Sequence, residues 1–97
     1  MIDRPALPGV FAPLYQRVTL DPSSEGARVI VDFAVAILAG AEFDLSKIDR
    51  LRDSRDAELC AALFDFCFTV GLTEDERQAA LAALTPYAEM HAAGARH

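Results

Sequence analysis

Ser23-Ser24-Glu25-Gly26-Ala27-Arg28-Val29-Ile30-Val31-Asp32-Phe33-Ala34-Val35-Ala36-Ile37-Leu38-Ala39-Gly40 is written as a helix with both ends marked. Ser23 or Ser24 offers a side-chain oxygen to an orphan amide at the start. Glu25 puts negative charge in the positive first turn, and Gly40 is a natural left-handed stop. Strand-like alternation is confined to Val29–Val31, and the cap and the apolar surroundings assign it to the helix. After Glu25 the only ionic residues are Arg28 and Asp32, four apart and therefore on one stripe. A helix that is apolar around nearly its whole circumference belongs at the centre of a structure.

Downstream, a second helix of the same kind is expected over residues 54–70, with Asp53 or Ser54 as its cap and Gly71 as its stop. Glu58, Ala62, Asp65 and Thr69 recur at steps of four, three and four, which gives another narrow polar stripe. Leu63, Phe64, Phe66, Cys67, Phe68 and Val70 cover the rest. Next comes Thr73-Glu74-Asp75-Glu76, a capping box in which the Thr oxygen and the Glu carboxylate satisfy each other's amides. The helix it opens reaches Leu84, with Ala80, Leu81 and Leu84 inward. Pro86 then either kinks it or starts a new turn capped by Thr85. Tyr87, Met90 and His91 carry the last turns to Gly94, and residues 94–97 are expected to fray.

Between the two apolar helices, Asp44 to Asp53 interleaves Lys47, Arg50 and Arg52 with Asp49 and Asp53. Leu45, Ile48 and Leu51 recur every three residues, the pattern of a short surface helix laced with ion pairs. Upstream, residues 1–22 are punctuated by Pro5, Pro8, Pro13 and Pro22. Pro13 suits the first position of one short turn through Leu14–Val18. Val10, Phe11, Leu14, Tyr15 and Val18 then share a side. Such an arm either packs on its own domain or reaches across to a partner, with Phe11 and Tyr15 as its contact residues.

The fold expected is all-α, a compact bundle of four to five short helices. At 97 residues the chain is one domain, spanning residues 1–97. Two nearly all-round apolar helices exceed what three short, partly polar ones can cover. The surplus is expected to be buried by dimerisation, as in homodimers whose interface resembles a divided core. No stretch approaches the ~20 apolar residues of a membrane span, and the start, Met1-Ile2-Asp3-Arg4-Pro5, lacks the basic and apolar regions of a signal peptide. A cytoplasmic, soluble protein with no membrane partner is expected.

Cys60 and Cys67 fall two turns apart on one helix face, about 10 Å of rise, too far to bond each other. They read as small apolar core residues, which fits a reducing compartment. With His91 and His97 they are the only soft metal-ligand candidates, and no ligand spacing joins them, so no metal or cofactor is expected. A thiolate is disfavoured in an apolar helix, and no glycine-rich phosphate loop occurs, so no catalytic residue is singled out.

The net charge of −6 repels phosphate backbones and favours a basic partner. Phe68 to Arg77 has the rhythm of a helix–turn–helix, but its second helix presents Glu74, Asp75 and Glu76 where DNA phosphates would lie. Nucleic-acid binding is therefore expected to be weak or absent. The leading expectation is an interaction protein of inhibitor, antiactivator, immunity or assembly type, with Glu74, Asp75, Glu76 and Glu89 facing a protein partner. The runner-up is an accessory subunit docked through residues 1–22. Asp65, set among Phe64, Phe66 and Phe68, either lies at a water-facing edge or is buried against Arg28 or a partner's arginine.

Overall fold

The computed structural model describes residues 9–44, 46–47, 51 and 54–95. They form four helices: α1 (Phe11–Leu20), α2 (Glu25–Ala39), α3 (Ser54–Thr69) and α4 (Glu74–Ala95), with no strand among the described residues. The Asp44–Asp53 helix falls largely outside them. What is described there is a tight turn at Ser46 and Lys47, with the Ser46 amide donating to Asp44 Oδ1 at 3.0 Å. Residues 1–8 and 96–97, with the outer arm and the end of the tail, also lie outside.

α2 is the axis around which the others assemble. Ser24 Oγ accepts from the Ala27 amide at 3.1 Å, and Gly40, at φ 70°, turns the chain out of the helix. There the Ala41 amide donates back to the Ala36 carbonyl at 2.8 Å, so the orphan carbonyls at this end are partly satisfied. Ala27, Val29, Ile30, Val31, Phe33, Ala34, Ala36 and Leu38 are all buried. α1, α3 and α4 each pack on α2, and α1 also packs on α3. Leu14 and Val18 of α1, Cys60 and Leu63 of α3, and Ala80 and Leu84 of α4 complete the core.

Three expectations change. First, α1 is a full helix that begins at Phe11, so Pro13 is its third residue rather than its first. An amide in the first turn has no partner within the helix, so a proline there costs little. The earlier start lets Phe11 insert into the core beside Leu14 and Val18.

Second, α4 runs unbroken through Pro86, past Gly94 to Ala95. The carbonyl that loses its donor belongs to Ala82, and Ala82 and Pro86 are both exposed, so water can replace the missing bond. The Thr85 hydroxyl meanwhile donates to the Leu81 carbonyl at 2.7 Å.

Third, α3 is not a second central helix. Of its residues only Asp56, Cys60 and Leu63 are buried. Its amino half is clasped between α1 and α2, while Phe64 and Phe68 face outward at 52% and 82% exposure.

Candidate functional site

The deepest polar cluster joins three helices. Asp56, 2% exposed, accepts from Arg17 Nε at 2.7 Å and from Arg17 Nη2 at 3.1 Å. This two-point geometry is the strongest an Arg–carboxylate pair can adopt. Arg17 Nη2 also reaches Ser24 Oγ at 3.4 Å, so the hydroxyl that caps α2 touches the pair. Gly26 makes the approach possible. A Cβ there would sit 2.5 Å from Asp56 Oδ2 and 2.7 Å from Arg17 Nη2.

Asp65 and Arg28, the candidate buried ion pair, are both exposed, so neither is buried against the other. Asp65 takes the water-facing position, and Asp32 meets Lys47 at 3.5 Å instead of Arg28. Nothing in local periodicity marks the Arg17–Asp56 pair, because its members are 39 residues apart. Asp56 on its own reads as an ordinary first-turn carboxylate.

Cys60 sits one turn along α3 from Asp56, and Cys67 lies two turns further on. Burial, with a smaller contribution from Asp56, pushes the Cys60 thiol up to about 11, and burial also raises Cys67. Both stay protonated at neutral pH, where a thiol is a poor nucleophile and a poor ligand. No group of three or more His, Cys, Asp or Glu among the described residues is placed to hold a metal ion.

His91 is more engaged than a surface residue. Its Nε2 donates to the Pro22 carbonyl at 2.6 Å, which fastens α4 to the loop before α2. Nδ1 is buried without a partner among the described residues.

Among the acidic candidates, two are employed in local structure. Glu76 accepts from the Thr73 amide at 2.9 Å and its own amide donates to Thr73 Oγ1 at 3.1 Å, completing the capping box. Glu74 accepts from Arg77 Nε at 3.0 Å and Gln78 Nε2 at 3.0 Å. The bond to Arg77 leads the interactions that hold its carboxyl below the usual range. Arg77 Nη1 donates in turn to the Leu38 carbonyl at 3.0 Å, so the start of α4 is tied to the end of α2. Asp75 and Glu89 are exposed.

Of the two arm residues, Phe11 is buried at 3% exposure and is not available to a partner in this fold. Tyr15 is exposed, edge-on to Tyr87 with ring centroids 6.0 Å apart, and a hydrogen bond with Tyr15 pushes the Tyr87 phenol up.

Two surface features remain. An open groove of about 720 Å³ runs between α1 and α3, walled by Leu20, Leu59 and Ala62. On α3 the rings of Phe64 and Phe68 stack at 6.2 Å with only 9° between their planes, and Val70 follows at 72% exposure. The apolar pattern of residues 54–70 assigns these rings to a covered surface and does not single them out. The signal that marks them is their i, i+4 spacing without a matching apolar helix to face. No helix of the described residues is long and apolar enough to cross a membrane. No family model, no curated protein and no solved structure matches this chain.

Proposed function

We propose that this chain is a small acidic homodimer that acts by binding another protein, in the manner of an inhibitor, antiactivator, immunity or assembly factor. The observation that carries this reading is the stacked Phe64–Phe68 pair on the outside of α3. Two adjacent large rings in water are costly to leave uncovered, and aromatic residues are enriched at the centres of protein interfaces. The net charge of −6 adds a field that favours a basic partner, with Asp75 and Glu89 as the acids best placed to meet it.

Two other readings are weaker. A helix–turn–helix needs its two helices to brace each other, whereas α3 and α4 touch little, and the start of α4 carries Glu74, Asp75 and Glu76. An accessory subunit docked through its amino-terminal arm loses Phe11, which is spent on the core.

Light scattering across a concentration series tests the self-association, and a monodisperse monomer at every concentration would overturn it. Titration with a lysine-rich probe peptide at low and high salt tests the basic-partner reading. Binding that weakens with salt supports it, and no binding at low salt would count against it.

A further inference from the structure

Five residues on the outer side of α3 fall on one line. Ser54, Ala57, Ala61, Phe64 and Phe68 follow one another at steps of three, four, three and four, the spacing of a coiled-coil seam. Ala57 is half-buried and the other four are exposed. Along this seam size is graded: three small residues occupy the amino half and two stacked rings occupy the carboxyl half.

A seam of that shape cannot pack on itself in parallel. Ring would oppose ring at one end, and small residues would oppose small residues across a gap at the other. Turned antiparallel it fits itself. Ser54 and Phe68 are each seven residues from Ala61, about 10 Å on either side. A two-fold axis at Ala61 sets Phe68 level with Ser54 of the partner subunit and Phe64 within one residue, about 1.5 Å, of Ala57 of the partner subunit.

We infer that α3 pairs antiparallel with α3 of a second copy of this chain, about a two-fold axis at Ala61, large residues seated on small. This rests on the homodimer reading above and gives it a surface and a register. The alanine at the axis lets the helices approach to about 8 Å, the close end of helix packing. A single helix pair of this length is a small interface, so the dimer dissociates in about the micromolar range. Glu58 and Asp65 flank the seam on one side and face each other's counterparts across the axis. Their like charge makes the dimer tighten with added salt, the opposite of binding to a basic partner.

Disulfide trapping in a glutathione buffer tests the register, in a Cys67→Ser background whose fold is checked by circular dichroism. Ala61→Cys is expected to cross-link to its own copy, whereas Phe68→Cys alone is not and Phe68→Cys mixed with Ser54→Cys is. Phe68→Ser is expected to raise the dissociation constant of the unlinked dimer at least tenfold, and adding Ser54→Phe is expected to restore it. Equal cross-linking by Phe68→Cys alone would mean parallel pairing and would overturn the inference. A wild-type dimer in which Ala61→Cys does not cross-link would also overturn it, while leaving the homodimer standing on another surface. A wild-type monomer throughout the light-scattering series would overturn both.

Discussion

α2 and α3 are nearly the same length, 15 and 16 residues, and both are rich in apolar side chains. α2 buries eight of them, whereas α3 buries three residues, one of which is a carboxylate. The difference is one of surroundings. α2 is walled on three sides by α1, α3 and α4. α3 has α1 and α2 beneath its amino half and little against the face that carries Phe64 and Phe68. Apolar content thus establishes that a helix is to be covered, and the packing of the other elements determines whether its own chain supplies the cover.

The sharpest way to break this comparison is to cut equivalent bulk from both helices and follow urea denaturation. Ile30→Ala, at a fully buried position of α2, is expected to cost about 2–5 kcal/mol, combining lost transfer energy with an unfilled cavity.

Next comes the clasp that holds α3 to α1. Arg17→Ala leaves the buried Asp56 carboxylate without its cation and is expected to cost about 3 kcal/mol. Asp56→Ala is expected to cost less, since the Arg17 side chain keeps 24% of its exposure and can turn to water. Equal losses from the two variants would show that α3 is less enclosed at this end than its geometry indicates.

Gly26→Ala tests the same junction from the α2 side. Alanine favours a helix by about 1 kcal/mol over glycine, but the Cβ would collide with the clasped pair. A net destabilisation of about 1–3 kcal/mol is expected, as for other overpacked sites.

A pH series isolates Cys60. Its folded pKa of about 11 lies above the ordinary 9.0, so its contribution to stability is complete below pH 9 and is lost as pH rises through 11. Wild type is therefore expected to lose more stability than Cys60→Ala between those two values.

The smallest effect is the most telling. In dilute monomer Phe68→Ser is expected to change stability by less than about 0.5 kcal/mol, as for surface substitutions generally. A large loss would mean that α3 is covered within its own chain after all.

Much of the scaffold was legible because its signals are local. Ser24 and Gly40 frame α2 as their chemistry demands, and Thr73 with Glu76 opens α4. α3 ends within a residue of its expected stop, ahead of Gly71 at φ 82°. What escaped depends on the third dimension. Arg17 on Asp56 and His91 on the Pro22 carbonyl join residues that no periodicity connects. Pro86 escaped for a different reason. Whether a proline breaks a helix turns on whether the stranded carbonyl meets water, and that depends on which side of α4 faces out. The outward rings of α3 escaped because composition counts apolar residues without saying how many neighbours will reach them.

The close approach at Gly26 has a consequence for how this protein can vary over time. Arg17, Gly26 and Asp56 are distant in the chain but occupy one volume, so no one of them is free to change by itself. Alanine at position 26 is tolerable only where the pair has already gone, and the pair can be lost cheaply only as a unit, with apolar residues of like size in both places. Relatives of this chain are therefore expected to keep all three residues or replace all three, and a sequence with a mixture would be a passage between two viable solutions.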